Sequence, residues 1–505
     1  MKKYTIIAII FALIMAGCSK DFLDKEPQGV LSTEGFYINA ENAMQAVNCC
    51  YDASRDAWTF VFTLVAMGDI ASDDAEKGGS NPSDFFEMQL LKDFQITPSN
   101  WIVRAFWANL YSGIYRCNIL TDRVPDIDMD AALRDRIIGE AKFLRALFYF
   151  HLIRSYGGVP LITEILDPDD FVQPRATAGE VWAQIEQDLL EAIPALPSRL
   201  EQPVSDYGRA TSSAAKALLV KTYIYQKKWQ QAKDLAKEII DSYEYALVDD
   251  FASIFTLEGE FCEESIFEIN FATLPPYNVG SQYMELQLPR MFKKIEVGTT
   301  DTTAGVWAGW GFNCPTEDLV NEFEPGDMRL SATATFDKDS LCTYTNEETG
   351  KQYIEIADNR MSPTGMYSKK AYVPTNQRPQ AIGQGGGNAG SNIRLIRYAD
   401  VLLFYGEACM EQGENAEARW ALKQVRNRAG LSDYPTDPDY ADLREAIYHE
   451  RRVELALEHH RYWDLVRTDR GFTLPAWDPV KNGLLPIPQL EIDISQGVIV
   501  QNPGY

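Results

Sequence analysis

This chain is poor in positive charge, in histidine and in long apolar runs, and each shortage excludes something. Lys and Arg number 47 against 73 Asp and Glu, for a net charge of −26. So acidic a chain is repelled by phosphate backbones and anionic headgroups, which excludes nucleic acid as a partner. Beyond the N-terminus no stretch approaches the roughly 18 to 20 apolar residues of a membrane-spanning helix. Four histidines and eight cysteines occur, without CxxC or HExxH spacing, so no zinc site is expected. A GxSxG nucleophile elbow is absent, and the glycine loop at 383–392 lacks the GK[ST] ending of a phosphate loop. EF-hand spacing is missing as well, which leaves only an isolated ion site open. No cofactor and no metal centre is therefore expected. Cys117 and Cys409 fall in apolar helical patterns and read as buried small hydrophobes.

What is there begins at the N-terminus, MKKYTIIAIIFALIMAGCSK. Lys2 and Lys3 form a basic start, Thr5 to Met15 an apolar stretch, and Ala16-Gly17 supply small residues before Cys18. At about 11 residues the apolar stretch is too short to span a bilayer, which takes about 20. The pattern reads as a lipoprotein signal: residues 1–17 are removed, and Cys18 carries acyl chains of the palmitate kind. The alternative is an ordinary secretory signal with a chance cysteine. Two or more acyl chains hold a protein stably at a membrane. The expected state is a water-folded chain tied to a membrane through lipid alone, with residues 18–32 as tether.

The remainder is mostly helical. LRDRIIGEAKFLRALFYFHLIRSYGG, from Leu133, keeps helical spacing and stops at Gly157-Gly158. Thr177 to Ile193 repeats the form, with Thr177 and Glu180 spaced as a capping box. Two segments, SSAAKALLVKTYIYQKKWQQAKDLAKEII and LLFYGEACMEQGENAEARWALKQVRNRAG, place small and apolar residues where tetratricopeptide repeats pack their paired helices. Between the helical halves the chain turns irregular: EESIFEINF alternates like a strand, then Pro275-Pro276 opens a stretch dense in Gly, Thr, Asn and aromatics. The expected architecture is mainly α, a tetratricopeptide-like helix-pair scaffold with a loop-rich, partly β insert. Its parts are an N-terminal helical part over 33–245, a loop-rich ligand-binding part over 246–392, and a C-terminal helical part over 393–505.

Taken in order, several segments resemble the SusD/RagB family of surface glycan-binding lipoproteins. They are CSKDFLDKEPQ, GEAKFLRALFYFHLIRSYGGVPLI, GRATSSAAKALLVKTYIYQKKWQQA, PTEDLVNEFEPGDMR, IRLIRYADVLLFYGEACMEQGE, LREAIYHERRVELALEHHRYWDLVR and the closing LPIP and QNPGY. The resemblance runs nearly end to end. It implies four tetratricopeptide-like pairs, no catalysis, a glycan ligand, and a SusC-like TonB-dependent outer-membrane transporter as partner at the cell surface.

A sugar ring offers an apolar face and a polar rim, so its site needs flat exposed aromatics with a few polar groups beside them. The stretch before PTEDLV, which in this family commonly supplies sugar platforms, contributes Tyr277, Tyr283, Trp307, Trp310 and Phe312. Trp307 and Trp310 lead; the alternative is that their rings plug the underside of the loops. A second set follows the first long helix: Asp73, Asp74, Lys77 and Asn81 as polar contacts, with Asn100 and Trp101 as an aromatic site. Trp107 reads as core.

Two other functions remain open. The same fold could capture peptides or another nutrient, since a scaffold does not fix a ligand. A surface glycoside hydrolase would need two carboxylates facing each other across a bond, whereas Glu450, Glu454 and Glu458 line one helix beside Arg451, Arg452 and Arg461, which reads as a structural ion-pair network.

Overall fold

The computed structural model describes residues 33–272, 280–299, 302–307, 309–347, 349–378 and 390–505. Cys18, the tether, Tyr277 and most of the glycine loop lie outside these.

A stack of antiparallel helices forms the scaffold: α1 (Ala40–Arg55), the short α2 (Phe86–Lys92), α3 (Trp101–Arg123), α4 (Ala131–Tyr156), α5 (Ala178–Ala192), α6 (Ser212–Tyr225) and α7 (Trp229–Asp241). Local chemistry sets the ends. The Thr177–Glu180 capping box opens α5, and α4 stops at Gly157, whose φ of 72° favours glycine. From Ile137 onward α4 is buried on almost every face, as a helix at the centre of a stack must be. Gly113 of α3 lets it approach, because a Cβ there would lie 2.5 Å from the Phe148 ring. Arg145 and Asp188, both buried, tie α4 to α5 through bonds of 2.8 and 2.6 Å.

After α8 (Glu317–Glu322), the C-terminal half resumes with the pair α9 (Tyr398–Glu411) and α10 (Asn415–Arg428), and α9 packs on α7. Both tetratricopeptide-like pairs thus share one core, in which Cys117 and Cys409 are buried as expected.

The insert holds more β-structure than its composition suggested. β1 (Ala75–Gly78) pairs with β5 (Phe312–Pro315), β2 (Ser265–Ile269) with β10 (Ile393–Arg397), and β6 (Ala334–Thr335) with β9 (Tyr367–Ser368). β3 (Met291–Glu296), β4 (Thr302–Trp307), β7 (Ser340–Thr345) and β8 (Gln352–Asp358) form an antiparallel sheet in the order β4-β3-β8-β7. In β3 only Phe292 is buried, so the sequence shows no apolar alternation.

The segment LREAIYHERRVELALEHHRYWDLVR, expected as one helix, is two: α11 (Leu443–Glu454) and α12 (Arg461–Arg467). Leu457 and His459 take positive φ between them, 59° and 69°. The His459 backbone N–H donates to Asp69 Oδ1 at 2.9 Å, anchoring the break to the segment before β1. Glu450, Glu454 and Glu458 do form an ion-pair network. Arg329 bonds Glu450 at 2.6 Å and Glu454 at 3.0 Å, and Arg397 bonds Glu454 at 2.9 Å and Glu458 at 2.7 Å, all buried.

Candidate functional site

The chain leaving α1 passes through two π-helical turns, Ala57–Val61 and Ala66–Ile70. Such turns are rare and recur at functional sites. The first is capped by Asp56, which accepts from the Thr59 N–H at 2.8 Å, and it turns Trp58 outward at 41% exposure while Phe60 and Phe62 point into the core. The loop after β1 then returns past the same place. Asp84 accepts from the Ser80 N–H at 2.8 Å and Oγ at 2.6 Å, and Lys77 donates to the carbonyls of Asn81 at 3.3 Å and Asp84 at 2.5 Å. This folded loop delivers Phe85 in left-handed backbone, φ 46° and ψ 56°.

Trp310 completes the set. Its backbone N–H donates to the Glu285 carbonyl at 2.8 Å. Gly309 permits this, since a Cβ there would lie 2.5 Å from the Glu285 carbonyl oxygen. The rings of Trp58, Phe85 and Trp310 lie 5.7 to 6.5 Å apart with planes 13° to 32° from one another. Beneath them Phe62, fully buried, meets Trp310 edge-on at 5.8 Å and 90°, and Phe85 at 5.6 Å and 71°. Phe86 stands beside them 53% exposed. The result is a preformed aromatic platform at the surface.

Of the residues singled out in the sequence, Trp310 belongs to the platform. Trp307 ends β4, and its side chain, like all of Tyr277, lies outside what the structure describes. Phe312 and Tyr283 offer no face to solvent. Phe312 is 1% exposed beneath Phe85, and Tyr283, 7% exposed, meets the His459 ring edge-on. Asn100 is the buried N-cap of α3, accepting from the Ile102 N–H at 2.9 Å, and Trp101 opens that helix half-buried against the core. Lys77 is buried over the Phe312 ring, its ammonium spent on loop carbonyls. Asn81 is exposed, its Oδ1 accepting from the Ser83 N–H at 2.9 Å. Trp107 is core.

Asp73 and Asp74 lie away from the rings, at a polar cleft of about 580 Å³ between β1, α8, α11 and the chain after α12. Arg461 grips Asp73 with two bonds of 2.7 Å. Burial opposes the Asp73 charge, but the Arg461 and Arg452 guanidiniums outweigh it and hold the carboxyl at about 2. Asp74 is fully buried; desolvation raises it to about 6 although Arg452 bonds its Oδ1 at 2.8 Å.

Sequence reading missed Trp58, Phe85 and Phe86. The nearest signal was in GGSNPSDFF, where two adjacent phenylalanines follow directly on a turn-rich segment.

Comparison with known proteins decides the family. The SusD family model matches residues 263–474, and a second, described as starch-binding and associating with the outer membrane, matches residues 21–224. A solved laminarin-binding SusD-like protein is 33% identical, covers 93% of this chain and 100% of its own, and superposes at TM-score 0.80. The chain belongs to the SusD family. Other SusD relatives include SusD-like protein P2 of Formosa agariphila, 26% identical over the full length of both chains. Surface glycan-binding protein A from Bacteroides thetaiotaomicron, solved with laminarihexaose, is 25% identical over 92% of this chain and 99% of that one, at TM-score 0.74. Glycan binding and association with the outer membrane are thus the properties of this chain's kin. Among the described residues no helix is long and apolar enough to cross a membrane.

Proposed function

We propose that this SusD-family chain is a cell-surface lipoprotein, anchored through Cys18, that captures a neutral β-glucan of the laminarin kind without cleaving it. It then hands the glycan to a SusC-like TonB-dependent transporter. The observation that carries the reading is the Trp58–Phe85–Trp310 platform, whose clustered flat rings match the apolar faces of sugars. The 33% identical laminarin-binding relative supports the choice of glycan. A preformed, open surface binds modestly, because the glycan gives up conformational freedom for a few stacking contacts. Modest binding suits release to a transporter.

Affinity electrophoresis of the mature chain against laminarin and a panel of plant, host and microbial polysaccharides tests this. Retardation by laminarin supports it; unchanged mobility with every glycan, together with binding to peptides, favours the other nutrient-capturing reading.

A further inference from the structure

The polar cleft beyond the platform has no part in the reading above. Arg452 lies along its wall, bonded to Asp74 at 2.8 Å, Asp318 at 2.6 Å and Glu322 at 2.5 Å. Lys92 closes one side, its ammonium on the carbonyls of Ser72 at 2.8 Å and Ala75 at 2.9 Å. The rim is acidic, with Glu76, Asp318 and Glu445 all partly exposed to solvent, and Arg470 stands among them over the Tyr448 ring. At the inner end, where a narrower pocket shares Arg452, Arg461 and Tyr448 with the cleft, the fully buried Asp74 Oδ2 has no hydrogen-bond partner.

We infer that this cleft is a second subsite for the same glycan, one that takes uncharged sugar units and turns away carboxylated or sulfated ones. This rests on the platform being the glycan site. Carboxylates and guanidiniums set side by side present acceptors and donors in alternation, which is what neighbouring hydroxyls, each donor and acceptor, require. These charges are already neutralised by one another, so a neutral ligand adds no unpaired charge, whereas an anionic one must face the rim carboxylates or displace an acid from Arg452. The Asp74 oxygen is fully buried in the narrower pocket and does not line the cleft itself, so the sugar hydroxyls meet the side chains of the cleft wall instead. Geometry links cleft to platform: α2 carries the exposed Phe86 at its first residue and the cleft-lining Lys92 at its last, about 9 Å apart at the helical rise. An oligosaccharide of a few units spans that distance.

The test is calorimetric titration of the mature chain, and of Glu445→Gln and Arg470→Ala variants, with laminaritriose, laminarihexaose and a uronate hexasaccharide. Neither substitution touches the platform, and Glu445→Gln preserves shape should Arg470→Ala unfold the cleft. The wild type gains about tenfold or more in affinity from tri- to hexasaccharide, the gain expected when a second site is engaged on one chain. It binds the uronate at least that much more weakly. Both variants bind the trisaccharide like the wild type and lose most of the gain. A gain retained in full by both variants overturns the second subsite and leaves the platform standing. Absence of wild-type binding to either laminari-oligosaccharide overturns both.

Discussion

The rings of Trp58 and Phe85 lie 5.9 Å apart with planes only 13° from parallel, and Phe85 reaches this position through left-handed backbone, φ 46°. For a bulky residue that conformation stores about 1 to 3 kcal/mol, a cost tolerated where function requires the geometry. Phe85→Gly relieves the strain and Phe85→Ala does not, so the glycine variant is the more stable of the two by about 1 kcal/mol. Both lose glycan affinity about tenfold. Thermal unfolding alongside titration with laminarihexaose checks the pair; an alanine variant as stable as the glycine one contradicts it.

Gly309→Ala acts on the platform from behind. Its Cβ would sit 2.5 Å from the Glu285 carbonyl oxygen and 2.6 Å from the Leu288 Cβ, and that same carbonyl accepts the Trp310 N–H. Trp310 must move, so affinity falls although no ligand-contacting side chain changes. Intrinsic tryptophan fluorescence shifts with it; an unshifted spectrum with wild-type affinity contradicts the account.

How much of this was legible in the sequence depended on whether burial left a local trace. The Thr177–Glu180 capping box and the Gly157 stop are local chemistry, and both were readable. Trp58 was not, because a π-helical turn adds a residue and rotates the face that 3.6-residue counting assigns. Phe312 and Trp310, two positions apart, looked equivalent; only the pairing of β5 with β1 turns Phe312 inward. Asp74 and Lys77 read as polar ligand contacts on a loop, and it is contacts with Arg452 and with the carbonyls of Asn81 and Asp84 that bury them.

Arg397 tests the reading of the glutamate stripe as structure. Its guanidinium is fully buried against Glu264, Glu454 and Glu458. Arg397→Met removes the cation that these three carboxylates share and leaves Arg329, Arg428 and Lys370 to balance them in the interior, a loss of about 3 kcal/mol. Denaturant unfolding should show that loss while laminarihexaose affinity under native conditions stays at the wild-type value. A stable variant without affinity would relocate the binding site.

The His449 cluster sets a pH window. Burial alone would lower the imidazole, but Glu322, 3.0 Å from Nδ1, and Glu324, 3.5 Å from Nε2, outweigh it and raise it above its ordinary value. Burial pushes Glu322 up, yet His449 and Arg452 bring it to about 2; the His449 contact likewise takes Glu324 to about 2. The histidine's contribution is complete below about 6.5 and is lost as pH rises through its raised value; the carboxylates' is complete above about 4.5 and is lost on acidification. His449→Gln should therefore flatten the decline in urea midpoint above pH about 6.5 and shrink the acid-side decline. An alkaline slope equal to the wild type's contradicts this.

The central claim is that the platform holds the glycan, and the measurement that tests it most directly is laminarin binding by the Trp58→Ala, Trp310→Ala double variant. Each ring behaves as a hot spot worth about 2 kcal/mol, so the wild type is retarded in a laminarin gel while the double variant runs as in the blank gel and still unfolds cooperatively. A folded double variant retarded like the wild type would contradict the account.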